Sequence, residues 1–187
     1  MRFGVLDSAP VRAGGSVADA LADSLARAGR LEELGCHRLW FTEHHLAPDV
    51  ASSAPLTLVG EAATRTHRMR LGAGGVMIRN HAPLVAAEQA ATLSLLHPGR
   101  VDVGLGRSGG SELDWSAGER YRVDGMLEAA LVGSEGTVHA QLRDVARRLA
   151  PDEVMAMTDL PDPGVTLRSH TRLAGIVAAP ARAGATP

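Results

Sequence analysis

The sequence predicts an α/β protein built on a parallel sheet of about five βα units. Short apolar runs alternate with longer stretches in which apolar residues recur at helical spacing. Glycine or proline stands at many of the junctions between them. Because crossover helices connect parallel strands, we expect helices to cover the sheet and functional side chains to follow the carboxyl ends of the strands.

Local signals mark the first strand and the first helix. The apolar run FGVLD (Phe3–Asp7) is typical of a strand. Ser16 followed by Asp19 predicts a capping box at a helix N-terminus. Leucine and alanine then recur at helical spacing up to Leu34, and Gly35 predicts the end of the helix.

Three further strands and two helices follow in the same alternation. The strands are RLWFTEH (Arg38–His44), MRLGAGGVM (Met69–Met77) and VDVGLGR (Val101–Arg107). Proline opens each helix between them, at Pro55 and Pro83, where a missing N–H is tolerated. The second helix is predicted to run to about Thr66, and the string HPGR (His97–Arg100) predicts the end of the third.

The second half of the chain is less regular. Residues 108–125 are polar and glycine-rich and receive no assignment. A helix is expected after Ser134, a fifth strand at EVMAMTD (Glu153–Asp159), and a last helix from Val165 to about Val177. We divide the chain into first βα units at 1–110, an irregular connector at 111–131, a helix–strand–helix end at 132–177 and a flexible tail at 178–187.

The composition excludes several classes of function. The chain has 187 residues, of which 45% are apolar and 21% charged, as in a soluble globular protein with one sizeable core. A net charge of −2 and an aromatic content of 3% argue against a nucleic acid or a membrane surface as partner. We see no secretory signal and no run approaching the ~20 apolar residues of a membrane span. The single cysteine, Cys36, fits a reducing cytoplasm, so we expect a cytoplasmic protein.

The string WFTEHHLAPD (Trp40–Asp49) places Glu43, His44 and His45 directly after an apolar run. Two histidines beside a carboxylate suit a metal site, an acid/base site or an ordinary polar loop. Successive strand residues point to opposite faces, so Glu43 and His45 are expected on one face and His44 on the other. This alternation, without an H-x-x-x-H pair or a cysteine partner, argues against a metal site. A neutral histidine at a strand end suits acid/base chemistry near neutral pH, and the polar loop stays open.

Glycine-rich strings stand at the ends of the next two strands. GAGG (Gly72–Gly75) lets a backbone approach a flat ligand closely, or lets a helix pack closely on the strand. GLGRSGG matches the dinucleotide fingerprint literally, but no clean helix opens behind it. Arg107 at the same strand end is a candidate phosphate ligand.

Together these strings resemble the bacterial-luciferase-like family of flavin-dependent monooxygenases. The resemblance rests on MRFGVLD, LGCHRLWFTEHH, MRLGAGGVMIRNHAPLVAAEQAATLSLLHPGR and VDVGLGR, and runs from Met1 to about Gly109. Val132 to Ile176 is similar to the family's C-terminal helix–strand–helix end. The resemblance implies a TIM-barrel enzyme that takes reduced FMN from a separate flavin reductase and uses it with O₂ to oxidise a small organic substrate.

The resemblance also implies roles for particular residues. His44 matches the family's catalytic histidine, and Glu43 belongs to the same flavin-site motif. Gly74 and Gly75 match a pair that lies against the flavin ring and is joined by a non-proline cis peptide. Arg107 matches a phosphate-binding arginine, and no metal is implied.

The chain is short for the implied fold. A (β/α)₈ barrel usually takes about 250 residues, and the five predicted strands would occupy barrel positions 8-1-2-3-4. The sequence therefore predicts an incomplete TIM-barrel-like sheet whose two exposed edges favour completion in a homo-oligomer. Two alternatives stay open. One is a degenerate, non-catalytic flavin-binding or interaction protein, and the other is a redox enzyme that uses a deazaflavin or a nicotinamide.

Overall fold

A computed structural model describes residues 1–106, 134–158 and 162–178. Within these residues the strands are β1 (Arg2–Asp7), β2 (Arg38–Phe41), β3 (Arg70–Met77), β4 (Val101–Gly106) and β5 (Glu153–Met157). The helices are α1 (Val17–Glu33), α2 (Pro55–Thr64), α3 (Pro83–Leu96), α4 (Glu135–Leu149) and α5 (Pro163–Ala178). The order confirms the predicted alternation of strands and helices.

The five strands form one parallel sheet in the order β4-β3-β2-β1-β5. The last strand in the chain pairs with the first, which is the 8-1-2-3-4 order expected of an incomplete barrel. Among the described residues no strand lies outside β4 or β5, so the sheet is open. The predicted fold class is therefore confirmed.

One face of the sheet carries the core. Val5, Leu39 and Leu71 lie side by side in register on β1, β2 and β3 and are fully buried. They pack against apolar residues of α1 and α2, including Leu31 and Val59. Each such side chain contributes about 1.5–3 kcal/mol on burial, so this row is a principal source of stability.

The opposite face carries a charged network at the amino-terminal half of the strands. Arg38 contacts Asp102 at 3.3 Å and Glu153 at 3.4 Å, and Arg70 also pairs with Asp102. The indole N–H of Trp40 donates to Asp102 at 3.3 Å. The network therefore joins β2, β3, β4 and β5 on the face of the sheet opposite the apolar core.

The structure ends β2 at Phe41, earlier than the predicted end at His44. The N–H of Thr42 still donates to the Asp7 carbonyl at 3.0 Å, but the N–H of His44 turns to the Ser52 carbonyl at 2.8 Å. The backbone hydrogen-bond partners therefore change from β1 to residues 50–52. The chain leaves the sheet just before Glu43, His44 and His45.

Helix α1 begins and ends where the sequence predicts. The Ser16–Asp19 capping box is present, and Gly35 has a φ of +77°, in the left-handed region that glycine adopts readily. The Glu32 carboxylate near its end accepts the backbone N–H groups of three residues before β3, at His67, Arg68 and Met69. This carboxylate fixes the entry to β3 relative to α1.

Helix α3 is apolar around much of its circumference, yet nearly all of it is exposed. Its exposed residues include Leu84 at 69%, Leu95 at 82% and Leu96 at 67%, and only Ala86 is buried. A helix with apolar residues on all sides is normally covered. The outer side of α3 is therefore an apolar surface of the molecule.

The described residues fall into two compact units. One contains the five strands with α1, α2, α3 and α5, and the other contains α4. None of the described helices combines the length and the apolar character that crossing a membrane requires. The division of the chain into four parts stays a prediction.

Candidate active site at the carboxyl ends of the strands

Glu43 is the buried centre of the candidate site. Its side chain has no exposed surface, although it lies in the loop directly after β2. Oε1 accepts from His45 Nε2 at 2.6 Å and from His81 Nε2 at 2.8 Å. Oε2 accepts the backbone N–H of Met77 at 2.9 Å, so the carboxylate ties the loop after β2 to the end of β3.

These partners keep Glu43 ionised. Burial by itself raises the pKa of the carboxyl group, but the hydrogen bonds from His45, the Met77 N–H and His81 outweigh it, and the pKa is lowered. A buried charge with this many donors is stable in its place. The carboxylate is therefore a fixed acceptor, with both oxygens occupied by the protein.

His44 lies on the surface between two residues of this cluster. Glu43 is buried, His44 is exposed, and His45 returns to the Glu43 carboxylate. His45 contacts Glu43 as the predicted alternation would have it, but it is itself exposed and these residues follow the strand, so a strand's alternation of buried and exposed side chains is not present. His44 thus has the accessibility that an acid/base group requires.

A short stretch after β1 supports the loop that carries His44. The Asp7 carboxylate forms a buried ion pair with Arg27 at 2.6 Å and accepts the Ala9 N–H at 2.8 Å. Residues 8–10 then pair with residues 50–52, with the Ala51 N–H donating to the Ala9 carbonyl at 2.9 Å. The backbone beside His44 is therefore anchored to the sheet.

The Gly74–Gly75 peptide bond is cis, as the resemblance implied. A Cβ on Gly74 would lie 2.6 Å from Trp40 Cε3, and a Cβ on Gly75 would lie 2.9 Å from the Gly104 carbonyl oxygen. Side chains at these positions would displace the indole or the neighbouring strand. Close packing within the sheet is thus sufficient to require glycine at both positions.

Three of the predicted site residues, Glu43, Gly74 and Gly75, are connected through β3, because Met77 follows the glycine pair on the same strand. The predicted phosphate ligand, Arg107, lies outside the described residues. The sequence did not single out His81, because its partner is 38 positions away and no local spacing links the two. The only available signal was its position just after β3, in the string RNHAP.

Within the described residues no group of three or more His, Cys, Asp or Glu side chains is arranged to hold a metal ion. Both imidazoles of the cluster instead direct Nε2 at one carboxylate oxygen. The Nε2 atoms of His45 and His81 are therefore engaged by the Glu43 carboxylate.

Comparison with known proteins gives a family match. A family model described as luciferase-like monooxygenase matches residues 1–121. A luciferase-like monooxygenase of Escherichia coli (strain K12) is 48% identical over 110 residues, which cover 59% of this chain and 33% of that protein. The chain thus spans about a third of the length of this curated relative.

Solved structures of monooxygenases are also similar to this chain. The monooxygenase RslO1 from Streptomyces bottropensis is 28% identical, with a TM-score of 0.55 over 82% of this chain and 44% of that one. The oxygenating constituent of 3,6-diketocamphane monooxygenase from Pseudomonas putida, a type II Baeyer–Villiger monooxygenase in complex with FMN, is 15% identical. Its TM-score is 0.56, over 80% of this chain and 38% of that one, which is a likeness of fold.

Proposed function

This chain belongs to the luciferase-like monooxygenase family, and on that premise we propose that it is a flavin-dependent monooxygenase. The proposed reaction uses reduced FMN and O₂ to oxidise a small organic substrate. The observation that carries the proposal is the arrangement at one edge of the sheet: exposed His44 lies beside the buried Glu43 cluster, which is bonded to the strand of the Gly74–Gly75 pair.

The cofactor is proposed as FMN in its reduced form, supplied by a separate flavin reductase. Gly74 and Gly75 would lie against the ring system, and Arg107 would bind the phosphate. The family supports a flavin, and at the level of fold so does the FMN complex of the diketocamphane enzyme. The residues present fit a flavin, because glycine backbone near the end of β3 and the imidazoles of His45 and His81 lie at this edge of the sheet.

His44 is proposed as the catalytic acid/base group. A bound reduced flavin supplies the electrons with which O₂ is activated. The exposed imidazole of His44 gives or takes a proton at the reacting atoms, and its backbone bond to Ser52 holds the loop in place. Glu43, whose oxygens are both occupied, is proposed to act through the residues that it holds.

A homo-oligomer is proposed as the working form. The open edges of the sheet at β4 and β5 and the apolar outer side of α3 each favour contact with a second copy. The cytoplasm stays the proposed location. It is supported by the single cysteine, Cys36, which is free and buried.

Turnover tests the proposal. The protein, reduced FMN, O₂ and a panel of small aldehydes are combined, and the oxidised product is measured. We expect product formation by the natural chain and at least a tenfold lower rate in His44→Ala, since positioned acid/base groups contribute about 10²–10⁴-fold. His97→Ala, which changes a histidine at the end of α3, is the matched control. An unchanged rate in His44→Ala would remove His44 from the mechanism.

A second function, a non-catalytic flavin-binding or interaction protein, is favoured by one observation. The chain spans about a third of the curated relative's length, so much of what forms a substrate pocket in a full barrel lies outside the match. Flavin binding without product from any substrate, in the natural chain and in His44→Ala alike, identifies this second function.

A further inference from the structure

Four groups form one hydrogen-bonded cluster, which we call the Glu43 clamp: the Glu43 carboxylate, the rings of His45 and His81, and the backbone N–H of Met77. The clamp joins the loop after β2 to the segment between β3 and α3. Its carboxylate is buried, whereas the side chains of His45 and His81 are 40% and 29% exposed. A ligand therefore reaches the imidazoles but not the carboxylate.

The carboxylate dictates where the imidazole protons lie. An ionised carboxylate only accepts hydrogen bonds. Both rings approach the same oxygen, Oε1, through Nε2, so each ring must carry a proton on Nε2. In a neutral imidazole with its proton on Nε2, the other nitrogen, Nδ1, is a bare acceptor.

We infer that Glu43 and His81 are positioning residues of this site: His81 donates a second bond to the Glu43 carboxylate, and Glu43 holds the ring of His45 with a proton on Nε2, so that in the neutral form of that ring Nδ1 accepts from a donor group of the bound ligand. The ligand part of the inference rests on the proposed function, because it requires a ligand at this edge of the sheet. The protonation pattern is a property of the free protein and stands independently of any flavin.

Glutamate and glutamine differ sharply in this setting. A glutamine has one carbonyl oxygen and one NH₂ group, but the clamp needs an acceptor both toward Met77 and toward the two rings. With its oxygen toward the rings, the NH₂ faces the Met77 N–H. With its oxygen toward Met77, the NH₂ faces the rings, and each ring that keeps its contact must move its proton to Nδ1. Glu43→Gln is therefore expected to change either a ring tautomer or the Met77 amide.

Nuclear magnetic resonance of the full chain with ¹⁵N-labelled histidine tests this directly. His45→Gln and His81→Gln assign the two ring signals by their disappearance. In the neutral form of each ring we expect the proton on Nε2. Protonation of either neutral ring on Nδ1, or rapid exchange between the two tautomers, in the natural chain would overturn the inference. No change at the rings or at the Met77 amide in folded Glu43→Gln would also overturn it.

Ligand binding separates a positioning role from bulk packing. Glutamine places a donor near the position of histidine Nε2, whereas leucine fills a similar volume without one. We expect His81→Gln to bind reduced FMN within about twofold of the natural chain and His81→Leu to bind at least fivefold more weakly. Equal binding by the two variants would contradict a role for His81 in positioning the ligand site. If the natural chain binds no flavin at all, the proposed function fails while the resonance result still decides the protonation pattern.

Discussion

Glu43 and His170 are both buried ionisable residues, but they differ in their partners. Glu43 has three hydrogen-bond donors, which hold its pKa below the usual value. His170 on α5 is 1% exposed, and neither of its ring nitrogens has a hydrogen-bond partner among the described residues. Burial, together with the nearby charge of Arg27 and against the smaller opposing effect of Asp7, lowers the pKa of His170 to about 4. The fold thus stabilises the ionised form of Glu43 and disfavours the protonated form of His170.

This difference predicts a specific pH dependence. Because the folded-state pKa of His170 lies below the unfolded value of about 6.5, its contribution is intact above that pH and is lost as the pH falls toward 4. We expect His170 to account for about 2 kcal/mol of lost stability between about pH 7 and pH 5. Urea unfolding at the two pH values measures it.

His170→Leu provides the comparison for this prediction. Leucine cannot take up a proton, so the variant should lose less stability than the natural chain over the same pH interval. The pKa of Glu43 is lowered, so its contribution is kept above the unfolded value and lost only in more acidic solution. An equal pH dependence in the variant and the natural chain would show that His170 is not the group that titrates.

Gly72 shows how closely the sheet is packed under Trp40. A Cβ at this position would lie 2.7 Å from Trp40 Cδ1 and 2.8 Å from Asp102 Cβ. Gly72→Ala should therefore cost about 1–3 kcal/mol by overpacking. Gly175→Ala on α5 meets no atom within 4 Å and should be neutral or stabilising by up to about 1 kcal/mol. Thermal unfolding of both variants measures the contrast, and equal melting temperatures would contradict it.

The Glu32 carboxylate links the end of α1 to the residues that precede β3. Burial raises the pKa of its carboxyl group, but the backbone N–H groups of Met69, Arg68 and His67 outweigh burial and lower it. Glu32→Ala should cost about 1–2 kcal/mol, because backbone donors lose a charged acceptor. The adjacent Glu33, 65% exposed in a surface pair with Arg30, is the matched control and should cost less than about 0.5 kcal/mol as alanine. Similar losses for the two variants in urea unfolding would argue against the connection.

The sequence predicted the elements well because their signals are local. Ser16 with Asp19, Pro55 and Pro83 each mark a helix start through neighbouring residues, and the structure confirms all of these starts. The end of β2 was placed too late, because it depends on a backbone bond from His44 to Ser52. Such a bond between separate loops leaves no periodic pattern in the sequence.

The candidate site was predictable only in part, for the same physical reason. The alternation of Glu43, His44 and His45 indicated that Glu43 and His45 would lie together, as their hydrogen bond shows, but not that His45 would be exposed. It gave no indication of His81, which reaches Glu43 only when β3 lies beside β2. For the GAGG string the sequence left ligand approach and close packing of a helix on the strand open, and the packing found is against side chains of neighbouring strands instead. The contacts of Gly72 and Gly74 with Trp40 show that close packing alone accounts for these glycines.

At the scale of the whole molecule, the open sheet and the apolar outer side of α3 predict self-association. Light scattering at micromolar concentration should give at least a dimer mass. Leu95→Glu places a charge on the exposed side of α3 and should lower the mass toward that of one chain. Leu149→Glu, at an exposed position of α4, is the control and should leave the mass unchanged. A natural chain that is monomeric at all concentrations would contradict the prediction.

We expect this chain, whose match spans about a third of its curated relative, to hold a flavin site at the carboxyl ends of its strands. Anaerobic calorimetric titration with FMN, in its reduced and its oxidised form, tests for this site. We expect saturable binding of reduced FMN at one site per chain. Absence of binding by both forms, with the protein shown to be folded, would contradict it.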